Sequence, residues 1–113
     1  MTELPAPDLS LRLCVVEACI VVYGHCQREY VEKLFNRAES AAKRDIQAYR
    51  ALNPDALVFS RCHMTWKPTE TFRPVPGLCR VDHQGVLQML CDLTRTTHLL
   101  VDMAKTQASQ LTK

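Results

Sequence analysis

Between Asp8 and Asn53 the chain has no proline and only one glycine, Gly24. Nothing in that stretch must break a helix. The phosphate-binding loop, the dinucleotide-binding glycines, zinc-finger cysteine spacing and the nucleophile elbow are all missing, so the enzyme and finger classes that depend on them are excluded. Charge of one sign is also lacking. Fourteen Lys and Arg stand against twelve Asp and Glu, a net charge of +2, which gives no strong electrostatic case for nucleic acid as the main ligand. The densest apolar run, Leu13 to Tyr23, contains Glu17 and falls well short of the roughly twenty residues of a membrane span. No basic segment precedes an apolar run at Met1–Pro5, so no signal peptide is expected. The six cysteines, three of them beside Val, Ile and Leu, then read as reduced thiols in an intracellular compartment, cytoplasm or nucleus.

What is present is helical periodicity. Residues 1–7 read as a flexible lead and Asp8 as an N-cap. Leu9, Leu13, Val16, Ile20, Tyr23 and Gln27 step by four and three. After one extra step follow Val31, Leu34, Ala38, Ala41, Asp45, Ala48 and Leu52, a heptad-like seam with a stutter near Gln27. Glu29–Lys33 and Glu39–Lys43 are i,i+4 pairs on its outer face. The spacing predicts one long helix over residues 8–53, with a buried strand as the alternative for residues 13–23 because β-branched residues cluster there. Asn53-Pro54 ends it. A short helical turn at Ala56–Ser60 and a proline-rich connector complete residues 54–81. Asp82 caps a second long helix, residues 82–111, on Val86, Leu90, Leu93, Thr97, Leu100, Ala104, Gln107 and Leu111. The expectation is a single all-α domain, residues 8–113: a long helical hairpin completed into a bundle by dimerisation or by a partner's helices.

The connector, residues 61–80, carries the candidate sites. Arg61, Lys67, Arg73 and Arg80 interleave with Trp66 and Phe72, a pattern that can follow a nucleic-acid strand by charge and stacking. The same residues suit a protein partner, since Trp and Arg dominate interface energetics. The plainer reading has Trp66 and Phe72 capping the hairpin core. Cys62, His63, Cys79 and His83 are a possible zinc set, although adjacent ligands are uncommon and no paired-cysteine motif is present. Catalysis has little support, because neighbouring His25 and Cys26 would not face each other on a helix and nothing supplies an oxyanion hole.

These features favour a non-enzymatic interaction protein, self-associating or acting as an adaptor subunit. Its partner surface would be Leu13, Val16, Ile20, Tyr23, Trp66, Phe72, Arg73, Leu90, Leu93 and Leu100. The alternative is a nucleic-acid-associated or zinc-stabilised regulator using the connector.

Overall fold

The computed structural model describes residues 7–111. Five helices and one hairpin follow in order: α1 (Pro7–Tyr23), α2 (Arg28–Phe35), α3 (Glu39–Leu52), β1 (Leu57–Ser60), β2 (Thr65–Pro68), α4 (His83–Thr94) and α5 (His98–Leu111). Apart from Pro7, the lead expected at residues 1–7 lies outside the described residues. Asp8 falls within the first turn of α1, which begins two residues earlier than a cap there would require.

The single long helix expected over residues 8–53 is three helices. Gly24 takes φ 73, a left-handed conformation that costs glycine little, and α1 stops there. His25 and Cys26 run extended, and Cys26 pairs with Trp66 through two backbone hydrogen bonds of 2.9 Å. Gln27 is the N-cap of α2, so the stutter in the seam lies on a true break. Asn36, with φ 50, closes α2. Asparagine is among the few residues that visit this region readily. Three residues, 36–38, then turn the chain into α3.

The second long helix is also divided. Arg95, with φ 57, caps α4, and the Thr96 N–H returns to the Cys91 carbonyl at 2.8 Å. The run Thr94–Thr97 gives this point little helical preference. Asp82 caps α4 through its carboxylate, which accepts the Gly85 N–H at 2.9 Å.

The helical turn expected at Ala56–Ser60 is replaced by β1, paired antiparallel with β2 in the register Leu57–Pro68 to Ser60–Thr65. Leu-Val-Phe-Ser and Thr-Trp-Lys-Pro are β-branched and aromatic, suited to a pleated, half-buried surface. With Cys26 on the far side of Trp66, the hairpin becomes a small three-part sheet layer, which an all-α hairpin does not contain.

α1 is the central helix. It packs on α4, α3, α2 and α5, and Leu13, Val15, Val16, Ala18, Cys19 and Ile20 are buried. The apolar N-terminal half is therefore covered from within the chain. The coiled-coil and helical-bundle reading assumed two straight helices with no third element to cover them. Once the breaks let α3 and α4 fold onto α1, a second copy is not needed to bury that surface.

Cysteine usage also departs from expectation. Cys14 on α1 and Cys79 form a disulfide with Cα atoms 5.4 Å apart, anchoring the segment 69–82 to α1. Cys19, Cys26 and Cys91 are buried outside any disulfide.

Candidate nucleic-acid interface

α3 has two chemically distinct faces. Ala42, Ile46 and Tyr49 are buried, and so is Asp45. The Asp45 carboxylate is held by Arg12 Nε of α1 at 3.1 Å and by Arg37 Nε at 2.8 Å. These pairs fasten α3 to α1 and to the turn preceding it, and they turn the acid of mid-α3 inward. Ser40, Lys43, Arg44, Gln47 and Arg50 are exposed. Their spacing of three and four places them on one side of the helix.

The hairpin extends this side. The Arg50 guanidinium lies over the Trp66 indole, 4.6 Å from the ring centroid, and Arg50 Nη1 donates to Gln47 Oε1 at 2.9 Å. A cation over an indole is held by the ring's quadrupole. Phe59 meets Trp66 edge-on at 5.2 Å. Between the start of α2, α3 and the hairpin lies a groove of about 710 Å³, lined by Gln27, Arg28, Glu29, Lys43, Ile46, Gln47, Phe59, Met64 and Trp66. Its floor is apolar and its rim is largely basic and amide. Arg61, Cys62 and Met64 are exposed at the hairpin tip, with His63 and Lys67 half-buried.

A short helix, a three-residue turn, a second helix with an exposed basic and amide face, and a β-hairpin beside it form a helix-turn-helix with an attached wing. Residues 8–92 match the family profile of the BrxR transcriptional regulator winged helix-turn-helix domain. The chain belongs to this winged helix-turn-helix family. A search among curated proteins gives no match. Membership overturns the assembly-adaptor reading and supports the regulatory alternative set beside it. The adaptor reading failed because it took the charged face of α3 for a merely solvated surface and the connector for a loop.

In this winged helix-turn-helix chain the sequence candidates scatter. Arg61 and Lys67 lie on the wing, where the nucleic-acid reading needs them. Arg73 and Arg80 lie on the returning segment 69–82. Arg73 is exposed, and its carbonyl accepts from Asn53 Nδ2 at 2.8 Å. Phe72 packs half-buried against the core. Leu13, Val16, Ile20 and Leu90 are buried, Tyr23 and Leu100 are half-buried, and Leu93 is 74% exposed. The proposed partner surface is thus mostly internal. Trp66 is a structural keystone, paired with Cys26 through its backbone and with Arg50 through its ring.

The expected zinc set does not assemble as drawn. Cys62 and His63 lie at the wing tip. Cys79 and His83 instead join Glu17, their ligand atoms all within 4.8 Å of one another.

The residues missed in the sequence are Lys43, Arg44, Gln47 and Arg50. Their signal was available: two basic residues, an amide and a third basic residue at helical spacing, after a short Asn-containing turn. It was masked by reading Glu39–Lys43 only as a surface pair. That pair does form, at 3.4 Å, between two exposed groups whose mutual attraction is weak.

No helix among the described residues is long and apolar enough to cross a membrane.

Proposed function

We propose that the protein is a non-enzymatic, intracellular transcriptional regulator that binds double-stranded DNA through α3 and the wing. The carrying observation is the division of α3: its mid-helix acid, Asp45, is buried and paired, while Ser40, Lys43, Arg44, Gln47 and Arg50 face solvent together. A helix of this width fits the major groove, where Arg and Lys read guanine and Gln reads adenine. Lys43 and Arg44 sit early in α3, where recognition helices meet base edges. Arg61 and Lys67 extend the contact to the neighbouring phosphates, and the groove between α3 and the wing receives the intervening sugar–phosphate strand. The family to which the chain belongs supports this reading. The modest net charge does not oppose it, because five of the cations, Lys43, Arg44, Arg50, Arg61 and Lys67, lie on α3 and the wing.

The test is fluorescence anisotropy with labelled duplexes across a salt series. Arg61 and Lys67 on phosphates predict a slope of log affinity on log salt of about −2, and each further cation that meets a phosphate steepens it by about 1. A chain that binds no duplex at low salt would sink the proposal. Binding that weakens equally on substituting Arg73 or Arg80, away from the wing, would misplace the interface.

A further inference from the structure

We infer that Cys14, Glu17, Cys79 and His83 form a zinc site when the Cys14–Cys79 disulfide is reduced. The four side chains come from two places in the fold. Cys14 and Glu17 are three apart on α1 and therefore share a face. Cys79 and His83 lie four apart across the start of α4. Glu17 Oε2 and His83 Nε2 are already 2.9 Å apart. The Cys79 sulfur lies within 4.8 Å of both, and the Cys14 sulfur is bonded to it. Two thiolates, one imidazole and one carboxylate are a donor set that zinc takes in tetrahedral geometry.

Glu17 supplies the independent pointer. It is 1% exposed, yet its partners among the described residues are the Tyr49 hydroxyl at 2.9 Å, the Val75 N–H at 2.6 Å and His83. None of these three carries a permanent positive charge. Buried carboxylates are normally paired with a cation or bound to a metal. Here Oε1 is oriented by Tyr49 and Val75 while Oε2 is directed at the imidazole, the arrangement that positions a ligand oxygen.

The two states exchange one bond set for another. A dithiol reductant attacks the Cys79 sulfur, Cys14 leaves as a thiolate, and the second thiol of the reductant displaces Cys79 as the reductant closes its own disulfide. Two electrons enter the protein and the reductant is oxidised. The protein sulfurs take up protons where they are not bound to metal. Zinc then replaces the thiol protons, which pass to solvent. With Zn–S at about 2.3 Å, tetrahedral geometry sets the two sulfurs roughly 3.8 Å apart, and with Zn–N and Zn–O at about 2.0 Å it sets the imidazole nitrogen and carboxylate oxygen roughly 3.3 Å apart. The change is a parting of the sulfurs, a few tenths of an ångström at His83, and an approach of both sulfurs to the Glu17 and His83 atoms, to roughly 3.5 Å in tetrahedral geometry. Because Glu17 also holds Tyr49 of α3, the metal would sit one side chain away from the DNA-facing helix. The site itself does not depend on the DNA-binding proposal.

The experiment is Co²⁺ titration of the full chain, reduced with a phosphine and then freed of it, read by visible absorption, with Zn²⁺ displacement afterwards. The expected result is one Co²⁺ per chain, with a thiolate-to-cobalt charge-transfer band and tetrahedral ligand-field bands. The charge-transfer band should be absent from the oxidised protein and lost in Cys14→Ser and in Cys79→Ser. His83→Ala should shift the ligand-field bands, and the combined Cys62→Ser, His63→Ala variant should bind as the parent does. Reduced parent protein that stays folded by circular dichroism yet shows no charge-transfer band overturns the inference, without recourse to any variant. So does a band that survives Cys14→Ser and disappears with Cys62 and His63.

Discussion

The guanidinium of Arg50 lies 4.6 Å from the centroid of the Trp66 indole, joining the exposed face of α3 to the wing. Neither residue has a neighbour in sequence that announces this contact. Trp66 is fixed by its backbone pairing to Cys26, so the indole is a rigid shelf, and Arg50 is presented on it with its charge outward. Replacing Trp66 with Leu should release Arg50 and weaken duplex binding by about two- to fivefold, corresponding to roughly 0.5–1 kcal/mol for an exposed cation–aromatic contact. Anisotropy at fixed salt measures this. Unchanged affinity in a folded W66L protein would show that the stacking does not organise the interface.

Removing single cations separates reading from positioning. Arg44→Ala or Lys43→Ala should weaken duplex binding. A residue that contacts a phosphate should lower the salt slope by about 1 and do so similarly for every sequence. One that contacts a base should cost about 1–3 kcal/mol and relax preference at one position. Salt series on two unrelated duplexes decide between these outcomes. Both variants should keep the parent's urea midpoint, because these side chains are exposed and the Lys43–Glu39 pair contributes little.

Asp45 should behave in the opposite way. Its side chain is 3% exposed and is paired with both Arg12 and Arg37. Removing one member of a buried charge group leaves the others uncompensated. Asp45→Ala should destabilise the fold by about 2–4 kcal/mol, discounted because both arginines keep some contact with water. Urea denaturation measures it. A change under about 0.5 kcal/mol would mean that the pairs do not hold α3 in place.

His25 predicts a pH dependence. It is fully buried, and its Nε2 donates to the Met103 carbonyl at 2.9 Å. Burial pushes its pKa below the ordinary 6.5, the Met103 bond opposes this, and Lys67 and His63 add to the lowering. The unfolded chain therefore binds a proton that the folded chain excludes. Stability from this group is complete above about pH 6.5 and is lost as pH falls from there through the folded pKa. Thermal melts of the parent should fall across that window, and His25→Asn should flatten the dependence. An equal slope in the variant would assign the effect to another group.

The oxidised protein should also be more stable than the reduced, metal-free protein. A disulfide spanning 65 residues is expected to contribute about 2–4 kcal/mol, mainly by restricting the unfolded chain. Paired urea titrations in chelator, with and without reductant, read the difference.

Much of the helix content was legible, and the reason is local. The apolar spacing through Leu13, Val16 and Ile20, through Val31 and Leu34, and through Val86 and Leu90 depends only on residues three and four apart. The Asp82 cap depends on a residue three places on. The interruptions at Asn36 and Arg95 were not legible, because a single left-handed residue barely disturbs a periodicity carried by its neighbours. The strands were missed because four residues are too few to show alternation. Asp45 looked like a polar gap in a seam, since Arg12, its partner, lies thirty-three positions earlier.

The sequence by itself thus determined where most of the helical turns lie and much of the apolar stripe along them, though not where the helices break, because those features follow from short-range spacing. Only the tertiary structure decided the rest. It paired Cys26 with Trp66, turned Asp45 inward so that Lys43, Arg44, Gln47 and Arg50 form one face, and gathered Glu17, Cys79 and His83 around one point, with Cys14 bonded to Cys79. Those outcomes depend on contacts between distant residues, which no local pattern records and which exist only once α3, α4 and the hairpin have closed around α1.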